Sequence, residues 1–164
     1  MPTVRRAEVR DIPAIERLLL QVDMVHHRGR PDLFRGPAVK YDAPALVSLL
    51  RDENTAVFVC ENDSGAVVGH AFCELQSEAG NAVLHPVRTL YIDDICVDEL
   101  HRRQGVGKLL YETVLQYAAE QNCYHVTLNV WACNPGAEAF YKALGMGVMK
   151  TTLETVLPAA NETE

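Results

Sequence analysis

The chain has 164 residues, 48% of them hydrophobic, which suits one globular domain with a core of its own. It carries 22 acidic and 15 basic residues, a formal net charge of −7, which argues against nucleic-acid binding and favours cationic partners. It has no apolar run of the roughly 18 residues that span a membrane, and its first residues lack the apolar stretch of a signal peptide. We therefore expect a cytoplasmic protein that binds no membrane.

The sequence predicts alternating helices and strands with one hairpin. Hydrophobic periodicity, caps and turn residues predict the elements. In the first half they are a strand over 3–7, a helix begun by Asp11, an irregular segment over 25–40, a helix over 42–51, and strands over 56–60 and 66–75 joined by a turn at 62–65. In the second half they are a loop over 76–87, a strand over 89–97, a helix over 103–121, a strand over 124–131, a helix capped by Asn134 and closed by Gly145, and a strand over 148–157. Because a helix joins the strands at 89–97 and 124–131, these two strands should be parallel.

A glycine-containing junction between a strand and a helix indicates a phosphate site. An apolar strand ends at Val97, and the pattern Arg102-x-x-Gly105-x-Gly107 leads into the helix. Such a helix start exposes backbone N–H groups, which bind a pyrophosphate together with the helix dipole. The pattern is neither a Walker A loop, since Leu109 follows Lys108, nor a dinucleotide fingerprint. Alone, it also fits a helix that merely begins at two glycines.

Two blocks in the second half of the chain and one at its N-terminus match a known family. The three blocks are Arg102-x-x-Gly105-x-Gly107, then Asn134-x-x-Ala137-x-x-Phe140-Tyr141-x-x-x-Gly145-Met146, and the stretch 4–15. Together they resemble the GNAT superfamily of N-acetyltransferases. Met146 stands where that family usually has Phe. The resemblance implies the α/β fold of acyl-CoA N-acyltransferases, a mixed α+β sheet of six or seven strands flanked by four helices. It implies a single domain over 1–158 and a short C-terminal tail over 159–164.

The resemblance also implies acetyl-CoA as co-substrate and no metal cofactor. In this family two strands splay apart and the pantetheine arm lies between them. The residues that would bind the cofactor follow from the matching blocks: Ile95, Cys96, Val97, Arg102, Arg103, Gln104, Gly105, Val106, Gly107, Lys108, Asn134, Ala137 and Tyr141.

Acetyl transfer to an amine requires an acid for the leaving thiolate and a group that receives the amine. The family resemblance assigns Tyr141 as general acid. Asp93 and Asp94 resemble an acidic pair of diamine acetyltransferases, and their side chains should point to opposite faces of the strand. Asp93 is thus a candidate base or amine anchor, and Glu74 on the neighbouring strand is a second candidate.

We therefore expect an N-acetyltransferase that moves the acetyl group of acetyl-CoA to a small cationic amine by direct attack in a ternary complex. Two alternatives stay open: a protein N-terminal or lysine acetyltransferase, and a non-catalytic acyl-CoA sensor. Asn129 disfavours the peptide N-terminus, because ribosomal-protein acetyltransferases carry a Glu there. The oligomeric state stays open, a homodimer included. The adjacent His26 and His27 fit an element of the acceptor site better than a metal site.

Overall fold

The computed structural model describes residues 1–158, so the predicted tail over 159–164 lies outside the described residues. The described strands are β1 (Thr3–Arg6), β2 (Thr55–Glu61), β3 (Val67–Ser77), β4 (Arg88–Val97) and β5 (His125–Leu128). The α-helices are α1 (Ile12–Gly29), α2 (Ala43–Arg51), α3 (Val106–Glu120) and α4 (Pro135–Ala143), and short 3-10 turns cover Val9–Asp11 and Glu99–His101. The assignment of one domain to residues 1–158 stays a prediction.

The sheet runs in the order β1-β2-β3-β4-β5. Neighbours are antiparallel from β1 to β4, and β4 and β5 are parallel and joined through α3, as the sequence predicts. The hairpin between β2 and β3 closes where Asn62 donates its backbone N–H to the carbonyl of Ala66 and Gly65 has a φ of +78°. The mixed α+β architecture of the predicted fold class is confirmed.

Both faces of the sheet are covered by helices. On β2, Val57 and Val59 face α1 and α2, whereas Phe58 and Cys60 face α3, so this strand reads as a continuous apolar run. The α1 face is filled by Ile15, Leu18 and Leu19, and the α3 face by Leu110 and Val114, all fully buried. Two cores therefore hold β3 and β4 rigidly from both sides.

Side-chain caps set the start of two helices as expected, and a third differs. Asp42 accepts a hydrogen bond from the Ala45 amide at the start of α2, and Asn134 accepts one from the Ala137 amide at the start of α4. Asp11 precedes α1 but makes no cap bond to it. Its carboxylate pairs instead with Arg5, which lowers the pKa of Asp11.

One predicted strand and several predicted bounds are wrong, among them the strand over 124–131, which is β5 at His125–Leu128. The sheet has five strands within residues 1–158 rather than six or seven, because the stretch 148–157 forms no strand there. Its apolar residues are exposed. An alternating apolar pattern predicts a strand, but a strand forms only where a neighbouring strand accepts its backbone hydrogen bonds. The irregular segment begins only after Gly29, since α1 continues through His26 and His27, and α3 starts at Val106 rather than at 103.

No helix within residues 1–158 has the length and the apolar character needed to cross a membrane.

Candidate active site

The pairing of β4 with β5, at one end of the sheet order, stops partway along β4. Their pairing ends at Ile92 opposite Leu128, whereas β4 continues to Val97. The β5-facing edge of Ile95 and Val97 therefore has no strand partner among the described residues. An open strand edge offers backbone N–H and C=O groups to an extended ligand.

The predicted phosphate cradle lies at the start of α3, close to the end of β4. Gly105 precedes the helix in a left-handed conformation, with φ at +84°, and Arg103 also has a positive φ of 61°. In the described part of the chain, no protein acceptor takes a hydrogen bond from the amides of residues 104–108. These amides are the free donors of a helix start, and such donors favour an anion.

The cationic side chains around this helix start have separate surroundings. The Arg102 guanidinium donates from Nε to the Val97 carbonyl at 3.2 Å, which ties the turn to the end of β4. Lys108 Nζ lies 3.6 Å from Glu112, and the Arg103 side chain is exposed. These three cationic residues thus lie within or next to residues 104–108 in the sequence, and none of them bonds to the amides there.

Gly107 faces the protein rather than the helix start. A Cβ added to it would lie 3.1 Å from Phe140 Cζ and 3.5 Å from Val97 Cγ2. A Cβ on Gly105 would meet nothing within 4 Å. Gly107 therefore permits α4 to approach α3 closely, and Gly105 supplies the positive φ of the turn.

Tyr141 projects from α4 into the core on the α3 face. Its ring lies 5.0 Å from that of Phe140 and 6.2 Å from that of Tyr111. Burial, and after it the negative charge of Asp94, raises the pKa of Tyr141 above its ordinary value. The phenol therefore keeps its proton at neutral pH and can act as an acid.

A β-bulge reorganises the acidic pair on β4. The register of β3 against β4 shifts between Phe72, which lies opposite Asp94, and Cys73, which lies opposite Ile92. Asp93 is the extra residue, and an extra residue interrupts the alternation of side chains along a strand. The prediction that the two carboxylates point to opposite faces of the strand is therefore wrong, and the hydrogen-bond partners of Asp93 and Asp94 show this.

Asp93 is bound by the segment between α1 and α2. Lys40 Nζ lies 2.6 and 2.7 Å from its two carboxylate oxygens, and the Tyr41 hydroxyl donates to Oδ2 at 2.8 Å. Burial, with the Asp93 charge beside it, raises the pKa of Tyr41 to about 12. Burial opposes the charge on Lys40, but its hydrogen bonds to Asp93 prevail and raise the pKa of Lys40. The Asp93 carboxylate is therefore already paired with the ammonium group of Lys40.

Asp94 is bound by a histidine that the sequence reasoning missed. His70, on β3, is fully buried, and its Nε2 lies 2.6 Å from Asp94 Oδ2. Its ring meets Phe72 edge-on at 5.0 Å, and Phe72 in turn packs against Tyr41 at 5.7 Å. Both carboxylates therefore face the α1 side. The one signal in the sequence is a histidine inside the otherwise apolar stretch 67–73.

Glu74 lies apart from the acidic pair. It is exposed, it sits opposite Tyr91 in the strand register, and it accepts a hydrogen bond from Gln76 at 3.5 Å. Within residues 1–158 no hydrogen bond or ion pair joins it to Asp93 or Asp94. The Tyr91 hydroxyl accepts a hydrogen bond from Asn129 at 3.1 Å.

The two histidines at the end of α1 support the segment that carries Lys40. The His26 ring stacks on Phe34 at 5.0 Å, and Phe34 meets Trp131 edge-on at 4.9 Å. His27 Nδ1 lies 2.8 Å from the Phe34 carbonyl. Among residues 1–158, no group of three or more His, Cys, Asp and Glu side chains has the geometry of a metal site.

Comparison with known proteins assigns the family. The model of the Acetyltransferase (GNAT) family matches residues 21–146. This chain belongs to the GNAT family. A mutant of the BH1408 protein from Bacillus halodurans shares the fold, with a TM-score of 0.92 and 29% sequence identity over 95% of this chain and 99% of that chain.

Two curated GNAT-like relatives match over shorter stretches. N-acetyltransferase 8F1 of Rattus norvegicus is 36% identical over 87 residues, which are 46% of this chain and 38% of that protein. Thialysine N-epsilon-acetyltransferase of Bos taurus is 36% identical over 58 residues, which are 35% of this chain and 34% of that protein. The matched stretch thus spans well under half of either relative.

The geometry fits acetyl-CoA, which the GNAT family uses. The amides of 104–108 have no protein acceptor, and no side chain fills the space above Gly105. Beyond Ile92, β4 has no β5 partner and offers an open strand edge next to this cradle. A pyrophosphate and an extended amide-bearing arm require these two features.

Proposed function

We propose that this GNAT protein is an N-acetyltransferase that moves the acetyl group of acetyl-CoA to a small cationic primary amine by direct attack in a ternary complex. The observation that carries the proposal is the set of unbonded amides at the start of α3, next to the end of β4 that has no β5 partner. Tyr141 on α4 would supply the acid for the leaving thiolate, and the carboxylates of β4 would receive the amine.

Three groups of residues would hold acetyl-CoA, which supplies an activated acetyl thioester when bound. Backbone groups of Ile95, Cys96 and Val97 would pair with the pantetheine arm. Asn134, Ala137 and Tyr141 would approach the arm from α4. The pyrophosphate would lie on the start of α3, held by Arg102, Arg103, Gln104, Gly105, Val106, Gly107 and Lys108.

Tyr141 is the proposed general acid. Its hydroxyl oxygen would hold a proton through substrate binding and donate it to the leaving thiolate. The raised pKa of Tyr141 supports this role, because the acid form persists throughout the neutral pH range.

Direct attack is supported by the state of the nearby cysteines. Burial raises the pKa of both Cys73 and Cys96 to about 12. The thiolate is the nucleophilic form of cysteine, so neither side chain is suited to carry an acetyl group at neutral pH. The amine would therefore take the acetyl group without a covalent enzyme intermediate.

A cationic acceptor is supported by the contacts of Asp93. The ammonium of Lys40 bonds to both of its oxygens, so this carboxylate is shaped to receive a primary ammonium group. A cationic substrate would compete with Lys40 for it. The net charge of −7 favours such a substrate, and the bovine relative is named for the amine thialysine. Glu74 stays the second candidate for the receiving group.

A thiol-release assay with purified protein tests the proposal. Acetyl-CoA is offered with spermidine, L-lysine, kanamycin or a short peptide, and release is compared with that in buffer alone. We expect release that depends on a cationic amine. Acetyl-CoA binding by calorimetry without release from any of these amines would contradict the enzyme assignment and favour a sensor.

The remaining expectations stay predictions. They are the cytoplasmic location and the absence of nucleic-acid or membrane partners, and a homodimer stays one of the open oligomeric states. The exposed apolar residues of 148–157 support the homodimer.

A further inference from the structure

His70 is the one fully buried histidine among the described residues that contacts the acidic pair. It lies on the central strand β3, where the neighbouring positions Val68, Gly69 and Ala71 are apolar and buried. Burying an imidazole in such surroundings costs free energy unless its polar atoms are paired. Its Nε2 is paired with Asp94 at 2.6 Å, which accounts for one of the two nitrogens.

The hydrogen-bond pattern assigns the tautomer of His70. The Asp94 carboxylate accepts hydrogen bonds, so Nε2 must carry the proton that it donates. The Nδ1 atom is buried and has no partner within residues 1–158. A proton on Nδ1 would leave a buried N–H without an acceptor, which is unfavourable. The hydrogen-bond pattern therefore assigns the Nε2–H tautomer to His70.

Asp93 and Asp94 differ in the number of hydrogen bonds that their carboxylates accept. Asp93 is bonded by an ammonium on both oxygens and by a phenol as well. Asp94 receives one hydrogen bond, from His70, on Oδ2 alone. Its Oδ1 has no hydrogen-bond partner among residues 1–158.

We propose that His70 is a positioning residue that holds Asp94 Oδ2 so that Asp94 Oδ1 faces the acceptor amine. This inference rests on the proposed acetyltransferase function and adds to it Asp94 as the proton acceptor and His70 as the residue that orients it. An N–H bond of the amine breaks, its electron pair stays on nitrogen, and the proton passes to Asp94 Oδ1. His70 itself keeps its proton throughout.

Several other groups act on Asp94 and enter any pH profile. Four of them interact electrostatically with Asp94, from α1, from the segment between α1 and α2, from β4 and from α4: Asp23, Lys40, Cys96 and Tyr141. A variant of His70 changes none of these side chains. Its effect on turnover is thus separable from theirs.

A double-mutant cycle tests the inference with the same amine panel. His70→Phe keeps the ring but removes the donor, and misplacing a catalytic group typically costs about 10²-fold in turnover. We expect this loss in kcat, with the affinity for acetyl-CoA unchanged by calorimetry. In an Asp94→Asn background, His70→Phe should cause no further loss, because it acts through Asp94. His70→Gln, which places an amide N–H near the position of Nε2, should recover most of the turnover.

A second measurement needs no turnover and no variant. Nitrogen-15 spectra of the wild-type protein should show His70 protonated on Nε2 and unprotonated on Nδ1. A proton on Nδ1 would overturn the inference even if His70→Phe failed to fold. The inference would also be overturned if the wild type acetylates an amine and the turnover losses of His70→Phe and Asp94→Asn multiply in the double variant. A wild-type protein that acetylates none of the amines overturns the proposed function, and this inference with it.

Discussion

At the scale of single residues, the phenol of Tyr141 is the most direct test of the chemistry. Tyr141→Phe keeps the ring that packs against Tyr111 and Phe140 but removes the proton donor. Turnover should fall by about 10²–10⁴-fold, the usual effect of losing one acid–base group. Acetyl-CoA affinity, measured by calorimetry, should persist. Near-normal turnover would reduce Tyr141 to a packing residue.

The pH profile supplies a second readout for Tyr141. A raised pKa means that the phenol holds its proton to higher pH than an ordinary tyrosine, so its acid form is lost only beyond the usual range. The rate should climb as the amine deprotonates. A descending limb near pH 10 that disappears in Tyr141→Phe would contradict the burial of the phenol.

Asp93 and Lys40 should affect the acceptor in opposite directions. Asp93→Asn removes the charge that receives the amine, so the KM for spermidine or lysine should rise. Lys40→Met removes the competing ammonium while keeping the length of the side chain, so that KM should fall. The pair is partly exposed, so each change should be several-fold, in line with about 1 kcal/mol for such ion pairs. Steady-state kinetics decide this, and a rise in both variants would contradict competition for one site.

At the scale of elements, the contact between α3 and α4 decides what Gly107 does. The sequence alone suggests that a larger residue there would crowd a phosphate, but its Cβ would press on Phe140. Gly107→Val should therefore lower the free energy of unfolding, by about 1–3 kcal/mol, as overpacking usually does. Denaturation without acetyl-CoA measures this.

Gly147→Val is the matched control for that prediction. A Cβ on Gly147 would meet nothing within 4 Å, so its variant should unfold nearly as the wild type does. A Gly107→Val protein of unchanged stability that binds acetyl-CoA poorly would restore the phosphate explanation.

At the scale of the whole molecule, the stretch 148–157 is the feature that the single chain leaves unexplained. Five of its apolar residues are largely exposed: Val148, Met149, Leu153, Val156 and Leu157. Exposed apolar patches mark interfaces, so this stretch favours a homodimer, a state that the sequence alone left open. Light scattering should give twice the mass of the chain, and Leu153→Glu should shift it toward the monomer. Thr155→Glu, an equal charge on a polar position of the same stretch, should leave the mass unchanged, and a monomeric wild type would contradict the prediction.

The sequence by itself determined the local and repeated features of this protein. The caps at Asp42 and Asn134, the turn before β3 and the parallel pair around α3 follow from residue types at fixed spacings. The glycine pattern at 105 and 107 likewise identified the helix start that leaves its amides free. These features depend on backbone preferences within a few residues, which a sequence carries directly.

Only the tertiary structure decided which side chains meet. The bulge at Asp93 changes the face of one carboxylate, and a one-residue shift of register cannot be read from alternation. His70 reaches Asp94 across 24 positions of the chain, and Lys40 reaches Asp93 across 53. The stretch 148–157 has the pattern of a strand but pairs with no strand within residues 1–158, although Glu154 forms an ion pair with Arg30. Pairing of distant residues is set by packing of the whole sheet, because local propensity carries no information about a neighbour brought near by folding.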